Sequence, residues 1–169
     1  MGFGEALWQE LVAGLPDNTE MARIIVRLPV ATVLGGILGF QRAEAGKAAG
    51  IRTHILVAMG AAIVVLVPQL TGMSSDGLSR VIQGIVTGIG FIGGGVILKM
   101  SEEHQIVGIT TAASIWLTAT LGIATGTGRL GLAVVGAILG FVVLTVFFRF
   151  DHNTPNGKPG QDERPRDQA

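Results

Sequence analysis

The sequence predicts an all-α fold: a polytopic membrane bundle of five transmembrane helices preceded by a short N-terminal amphipathic helix. Its composition is the first reason. Only 14% of the 169 residues are charged and 49% are hydrophobic, whereas soluble domains typically carry about 25% charged residues. The second reason is that the charges lie between long apolar runs, which is the pattern of an integral membrane protein.

Residues 1–20 form the first predicted segment, an amphipathic helix that lies on the membrane surface. Within residues 3–15, apolar side chains recur at helical spacing, and Glu5, Gln9 and Glu10 occupy the other side. A spanning helix needs about 20 apolar residues, so this segment is too short to cross the bilayer. An interfacial helix is therefore predicted.

Residues 21–149 are predicted to form the transmembrane domain. Four charge-free stretches are long enough to span the hydrocarbon core, and a fifth is apolar except for Arg23 and Arg27 near its start. Long arginine side chains at a helix end can snorkel to the interface. The predicted helices cover residues 22–40, 55–72, 81–99, 106–125 and 130–148.

The polar tail and the distribution of basic residues predict the topology. Residues 150–169 are polar and proline-bearing, which predicts a disordered tail. If loop 41–54 is cytoplasmic, eight of the twelve lysines and arginines lie on the cytoplasmic side and four on the other. The positive-inside rule then predicts an N-terminus outside and a cytoplasmic C-terminus.

Glycines inside the predicted spans indicate close helix packing. Pairs four residues apart form small-xxx-small faces that let helix backbones approach one another. The run Gly93-Gly94-Gly95 exceeds what one packing face needs, and it predicts a local break near the end of the third span. The glycines assigned to helix packing are Gly35, Gly39, Gly84, Gly88, Gly90, Gly93, Gly94 and Gly95.

Catalysis and metal binding find no support in the residue pattern. Cysteine is absent, and all twelve carboxylates lie outside the predicted spans. The three histidines have no ligand spacing, and no nucleophile–base pair, P-loop or zinc signature is present. We therefore expect a protein that is not an enzyme, has no catalytic residue and uses no metal, cofactor or nucleic acid.

Polar side chains at two places are the candidates for ligand or partner contact. The first place is GFQRAEAGKAAGIRTH, residues 39–54, where basic groups surround Glu44 and run into the N-terminus of the second span. Such a helix entry suits an anion, and lipid phosphate is the default anion at that depth. The second place is a pair of hydroxyl and amide stripes on spans three and four. The candidates are Arg42, Glu44, Arg52, Thr53, His54, Arg80, Gln83, Thr110, Thr111 and Ser114.

Residues 24–128 resemble the MgtC/SapB family of bacterial inner-membrane proteins through their membrane domain. Three motifs carry the resemblance in family order: GFQRAEAGKAAGIRTHILVAMGAA, SRVIQGIVTGIGFIGGGVI and VGITTAASIWLTATLGIATGTG. Arg42, Arg52 and Arg80 fall on basic positions of the family, and Thr111 matches its fourth span. The family's long cytoplasmic C-terminal domain is missing from this sequence.

The resemblance implies a five-helix domain in the bacterial inner membrane with its N-terminus outside. It also implies a link to magnesium-limited growth and to regulation of membrane complexes such as the F-type ATP synthase. The first functional hypothesis is a regulator that acts through helix–helix contacts, with a homo-oligomer (a dimer favoured) or another membrane protein as partner. The alternative is a small ion or solute transporter or channel, for magnesium or another cation, lined by glycine backbone and Thr, Ser and Gln side chains.

Overall fold

A computed structural model describes residues 2–99 and 107–151, and over these ranges the chain is helical with short connections. The predicted all-α fold is confirmed. Five of the helices, α2 to α6, are long and apolar enough to cross a membrane. The helices are α1 (Phe3–Ala13), α2 (Asn18–Glu44), α3 (Ile51–Leu70), α4 (Ser75–Lys99), α5 (Ile109–Gly126) and α6 (Leu130–Asp151).

Capping groups explain why α2 begins before the apolar run from which it was predicted. The Asp17 side chain accepts a hydrogen bond from the Glu20 amide at 2.7 Å, and the Asp17 amide donates to the Glu20 carboxylate at 3.1 Å. This reciprocal capping box satisfies amides that the first helical turn leaves free. As a result, Pro29 lies inside α2 and not in its first turns.

The third span is one continuous helix, so the predicted break at Gly93-Gly94-Gly95 is wrong. Three glycines weaken a helix by about 1 kcal/mol each relative to alanine. In a membrane, however, unwinding exposes backbone groups that lipid cannot hydrogen-bond, at several kcal/mol for each group. The helix also begins at Ser75 rather than near residue 81, and its first turns carry Asp76 and Arg80.

The α5 helix lies at the centre of the bundle, where it contacts α2, α3, α4 and α6. The α3 helix packs against α2 on one side and α5 on the other, and α4 borders α5 and, less extensively, α3. Between described residues, α1 contacts none of the other helices. Its predicted interfacial location stays a prediction, and the predicted disorder of the tail falls almost entirely outside the described residues.

Glycines set the close approach of α3 to both of its main neighbours. A Cβ built on Gly35 of α2 would lie 2.7 Å from the carbonyl oxygen of His54, and one on Gly39 would lie 2.6 Å from the Cα of Ile51. On α5, a Cβ on Gly126 would lie 2.7 Å from the Ala62 carbonyl oxygen. Only glycine leaves room for these backbone contacts.

Gly122 on α5 gives a direct test of this packing. A Cβ on Gly122 would collide with the carbonyl oxygen of Ala58. A Cβ on Gly131 of α6 would have no described atom beyond its own helix within 4 Å. We expect Gly122→Ala to destabilise the protein by about 1–3 kcal/mol, as overpacking does. Gly131→Ala should be neutral or stabilising, because alanine favours helix. Thermal unfolding of the purified protein in detergent measures both, and equal melting temperatures would contradict the packing described.

Candidate functional site

The sequence-predicted candidates Arg42 and His54 are brought together where α2 ends and α3 begins. Gly39 permits the end of α2 to lie against the start of α3, so residues twelve apart in sequence become neighbours. Both side chains are buried, with 1% of Arg42 and none of His54 exposed. The first turns of α5 add Thr111 and Ser114, also buried, at the same end of the bundle.

Arg42 is the largest fully buried side chain of the described core. Its Nη2 donates a hydrogen bond to the Thr111 hydroxyl oxygen at 3.1 Å, which joins α2 to α5. Its buried Nε has no hydrogen-bond partner among the described residues. A guanidinium carries five N–H donors and no acceptor, so this buried cation is incompletely satisfied.

His54 links α3 to α5 through both ring nitrogens. Its Nδ1 lies 2.9 Å from the Gly50 carbonyl oxygen, and its Nε2 lies 3.3 Å from the Ser114 hydroxyl. A carbonyl only accepts, so Nδ1 carries a proton and a neutral ring presents a lone pair at Nε2. Ser114 also lies 2.8 Å from the Thr111 carbonyl oxygen, and its single proton serves one of these two acceptors at a time.

The side chains of this cluster hydrogen-bond to one another and to nearby backbone, and the cluster carries the positive charge of Arg42. Its groups are a guanidinium, an imidazole and two hydroxyls, and no carboxylate hydrogen-bonds to it in the described chain. Magnesium prefers oxygen ligands, with carboxylates prominent, in an octahedral arrangement. The described residues contain no group of three or more His, Cys, Asp or Glu that could hold a metal ion.

The other sequence-predicted candidates lie apart from the cluster. Glu44 and Arg52 are exposed and Thr53 is half-buried, although all three are near Arg42 in sequence. Arg80 and Gln83 are exposed on the first turns of α4, at the opposite end of the bundle.

Spacing of four residues predicts a hydroxyl stripe of Thr110, Ser114 and Thr118 on α5, and the structure differs from it at one position. Thr110 is exposed, and its neighbour Thr111 takes the buried position beside Ser114. Thr118 is also buried and donates back to the Ser114 carbonyl oxygen at 2.8 Å. These hydroxyls therefore bond to their own helix, to Arg42 or to His54 and do not form an open polar seam.

Gln41 is a buried polar residue that the sequence reasoning did not select. Its Nε2 donates to the Leu144 carbonyl oxygen of α6 at 2.9 Å, while its Oε1 has no partner among the described residues. The available signal was its helical spacing, because Gln41 falls three residues after Leu38 and seven after Leu34 on the buried side of α2.

A second polar contact, also not predicted, lies at the other end of the bundle. Arg27 of α2 donates from Nη1 to Gln69 Oε1 at 3.1 Å and to the Gly126 carbonyl oxygen at 2.7 Å. Gln69 of α3 donates to the same carbonyl at 3.1 Å. This contact joins three helices and places a cation at the negative C-terminal end of α5.

The exposed surface of α4 is rich in glycine and carries fewer large apolar side chains than that of α6. Its bulky residues Ile85, Ile89 and Val96 turn inward, where they pack against α5. Its glycines 84, 88, 90 and 95 are exposed, and no described atom beyond the helix itself lies within 4 Å of a Cβ built on any of them. Only 6% of the most apolar window of α4 is buried, against 50% for α5.

The outward side of α6 shows what a lipid-facing surface looks like in the same chain. Its exposed residues are large and apolar: Leu132, Val135, Ile138, Leu139, Val142 and Phe147. We call Gly84, Gly88 and Gly95, with the 86% exposed Phe91 beside them, the glycine face of α4.

An apolar groove of about 330 Å³ borders the glycine face. It runs between α3 and α4 and reaches Ala119 of α5 at its base. Gly60 and Val64 line it from α3, and Gly88 and Ile92 line it from α4. The groove exists because small residues on α3 and α4 leave space where larger side chains would meet.

Five long apolar helices, joined by a buried polar cluster at one end and a half-buried polar contact at the other, define a multi-pass α-helical membrane protein. Comparison with known proteins then gives the family. The model of the MgtC family matches residues 28–153, and this chain belongs to that family.

Several relatives are about 40% identical to this chain over the aligned residues. The "Putative magnesium transporter YhiD" of Escherichia coli K12 is 39% identical over 142 residues, which cover 80% of this chain and 65% of the relative. "Protein SrpB" of Synechococcus elongatus is 42% identical over 134 residues, covering 73% of this chain and 74% of the relative.

"Protein MgtC" of Brucella abortus is 39% identical over 118 residues, which cover 70% of this chain. The match spans only 48% of the Brucella protein, so this chain corresponds to about half of that relative. No solved structure matches the chain.

The Arg42–Thr111 hydrogen bond generates a prediction about stability. Thr111→Val removes the acceptor from a buried guanidinium that already has an unpartnered Nε, so we expect a loss of about 1.5–3 kcal/mol. Thr110→Val is the matched control, because Thr110 is exposed and adjacent. Denaturant unfolding in detergent measures both variants. Equal effects would show that the Arg42 contact does not contribute to stability.

The contact at the other end is tested through Arg27. Arg27→Met keeps much of the side-chain length but removes both hydrogen bonds, to Gln69 and to the Gly126 carbonyl. We expect a lower melting temperature, corresponding to about 1–3 kcal/mol. Arg23→Met, one turn earlier and exposed, should leave it unchanged. A melting temperature of Arg27→Met equal to that of the unmodified protein would contradict the proposed helix-joining role.

Proposed function

We propose that this chain is a non-enzymatic regulator in the bacterial inner membrane that acts through helix–helix contacts made by α4, with a second copy of itself or with another membrane protein. The single observation that carries the proposal is the glycine face. It is exposed, it carries three glycines beside the single bulky side chain of Phe91, and a Cβ built on Gly84, Gly88 or Gly95 would meet no described atom beyond the helix itself within 4 Å.

The physical argument concerns what can cover such a face in a membrane. Association of transmembrane helices is driven by close van der Waals packing, because lipid is as apolar as the side chains themselves. Glycines let two backbones approach and gain that packing. A surface of glycines beside an apolar groove thus favours a further transmembrane helix over lipid as its neighbour.

The alternative function, transport of magnesium or another cation, is suggested by the name of the Escherichia coli relative. The chemistry at the Arg42 end favours the regulatory proposal. The hydroxyls that could line a pathway are bonded within the bundle, and the buried Arg42 guanidinium repels a divalent cation. The carboxylates of the described residues also lie outside the buried core of the helix bundle, so none of them lines a buried path for a cation.

The proposal includes the orientation of the chain in the membrane and the growth condition in which it acts. The distribution of lysine and arginine supports an N-terminus outside and a cytoplasmic C-terminus. The Arg42 cluster would then lie near the cytoplasmic surface and the Arg27 contact near the outer one. Family membership supports a role connected with magnesium-limited growth, exerted on a membrane complex such as the ATP synthase.

Gly88→Leu tests the proposal, because it adds a bulky side chain to the glycine face at a position where a Cβ would meet no described atom beyond its own helix within 4 Å. We expect this variant to fold normally and to lose the membrane proteins that co-purify with the unmodified chain from native membranes. Gly131→Leu is the control, since Gly131 is equally open but lies on α6.

Reconstitution in liposomes separates the two functions. We expect no specific flux of magnesium, potassium or protons. A flux abolished by Gln83→Leu, or partners retained by Gly88→Leu, would contradict a regulatory role exerted through α4.

A further inference from the structure

We propose that the helix covering the glycine face is α4 of a second copy of this chain, in a parallel pair in which Phe91 of each copy enters the groove of the other. The inference rests on the proposed use of α4 for helix contact, and it names the occupant. Its basis is that Phe91 and the part of the groove lined by α4 lie at the same depth, on opposite sides of the glycines.

The angular positions on α4 make this arrangement self-complementary. At about 100° per residue, Gly84, Gly88 and Gly95 fall within about 40° of one another. Phe91 lies to one side of their centre, and Ile92, which lines the groove, lies to the other side. Two parallel helices related by a two-fold axis place a side chain on one flank against the opposite flank of the partner. Phe91 of one copy therefore faces the groove of the other.

Depth in the membrane agrees with this pairing. Copies of one chain insert with the same topology, so equivalent residues of two parallel α4 helices lie at the same depth. The groove is lined by Gly88 and Ile92, which bracket Phe91 along α4 with a rise of about 1.5 Å per residue. Phe91 is 86% exposed in the single chain, and its ring is of a size that a groove of about 330 Å³ accommodates.

A second copy also fits better than a lipid chain or an unrelated helix. Acyl chains could enter the groove, but they would leave the glycines and the projecting Phe91 unmatched. An unrelated helix would need its own projecting side chain at this depth and its own small residues opposite Gly84 and Gly88. The second copy supplies both without further assumption, and such isologous contacts are the commonest in protein assemblies.

Cysteine cross-linking in membranes tests the pair, because the chain contains no cysteine and each introduced thiol is the only one. Disulfides need Cα atoms within about 7 Å, a distance that a glycine-mediated contact can provide. We expect Gly84→Cys to give a disulfide-linked dimer on oxidation. Gly90→Cys is the control, since Gly90 is equally open but lies about 140° around the helix from the centre of the face.

Two second-site changes show whether the proposed surface holds the pair. Added to Gly84→Cys, Gly88→Leu should abolish the dimer and Phe91→Ala should reduce it. Absence of the dimer, equal cross-linking of Gly90→Cys, or a dimer unaffected by Gly88→Leu would overturn the inference.

The cross-linking outcome is separable from the outcome for the proposed function. A cross-link from Gly84→Cys to a different protein, seen as a product of another mass, would overturn self-association and leave the regulatory role standing. A second combination is also informative. If Gly88→Leu no longer co-purifies with other membrane proteins but Gly84→Cys never links two copies, the second copy is the wrong partner for the glycine face and the regulatory role is not contradicted.

Discussion

The close approach of α3 to α2 and α5 is the contact on which the rest of the structure depends. It is made by glycines that sit against backbone: Gly35 and Gly39 against the start of α3, and Gly122 and Gly126 against its later turns. In a membrane this packing replaces the hydrophobic effect as the source of cohesion. With larger residues the three helices would separate, and the polar side chains at their ends would no longer reach one another.

Those polar side chains show how the bundle accommodates arginine without carboxylates in its described core. Arg42 uses the Thr111 hydroxyl, and Arg27 uses the Gln69 amide oxygen together with the Gly126 carbonyl at the end of α5. Each arginine lies near one end of a span, so its charge is close to the polar boundary of the bilayer. Both contacts join helices distant in sequence, and hydrogen bonds to charged groups are worth about 1.5–3 kcal/mol each.

The sequence predicted the helical class and the number of spans, because hydropathy is a property of composition along the chain. It predicted only some of the helix ends, such as the end of α4 at residue 99 and the start of α6 at residue 130. Charge-free runs mark the hydrocarbon core, whereas α4 begins at Ser75 with charged residues in its first turns. The failed break at Gly93-Gly94-Gly95 has a related cause, since propensities from water underestimate how strongly lipid favours an intact helix.

The candidate site was predictable only in part. Arg42, His54, Thr111 and Ser114 were selected by type and position, but so were Arg52 and Thr110, which are exposed. Which of two neighbouring residues turns inward depends on the rotation of each helix, and that rotation is set by packing partners far away in sequence. Gly35 and Gly84 illustrate this limit. Each begins a pair of glycines four residues apart, yet Gly35 faces α3 and Gly84 faces outward.

The two sides of α4 have separate roles: the inward side packs against the rest of the bundle, and the outward side is available for contact with another helix. The isoleucines and valine pack α4 against α5, while a Cβ added at the outward glycines would meet no described atom beyond the helix itself within 4 Å. Substitutions on the outside should therefore cost less folding stability than substitutions on the inward side. A single helix could thus acquire a new interaction specificity while the remainder of the protein stays unaltered.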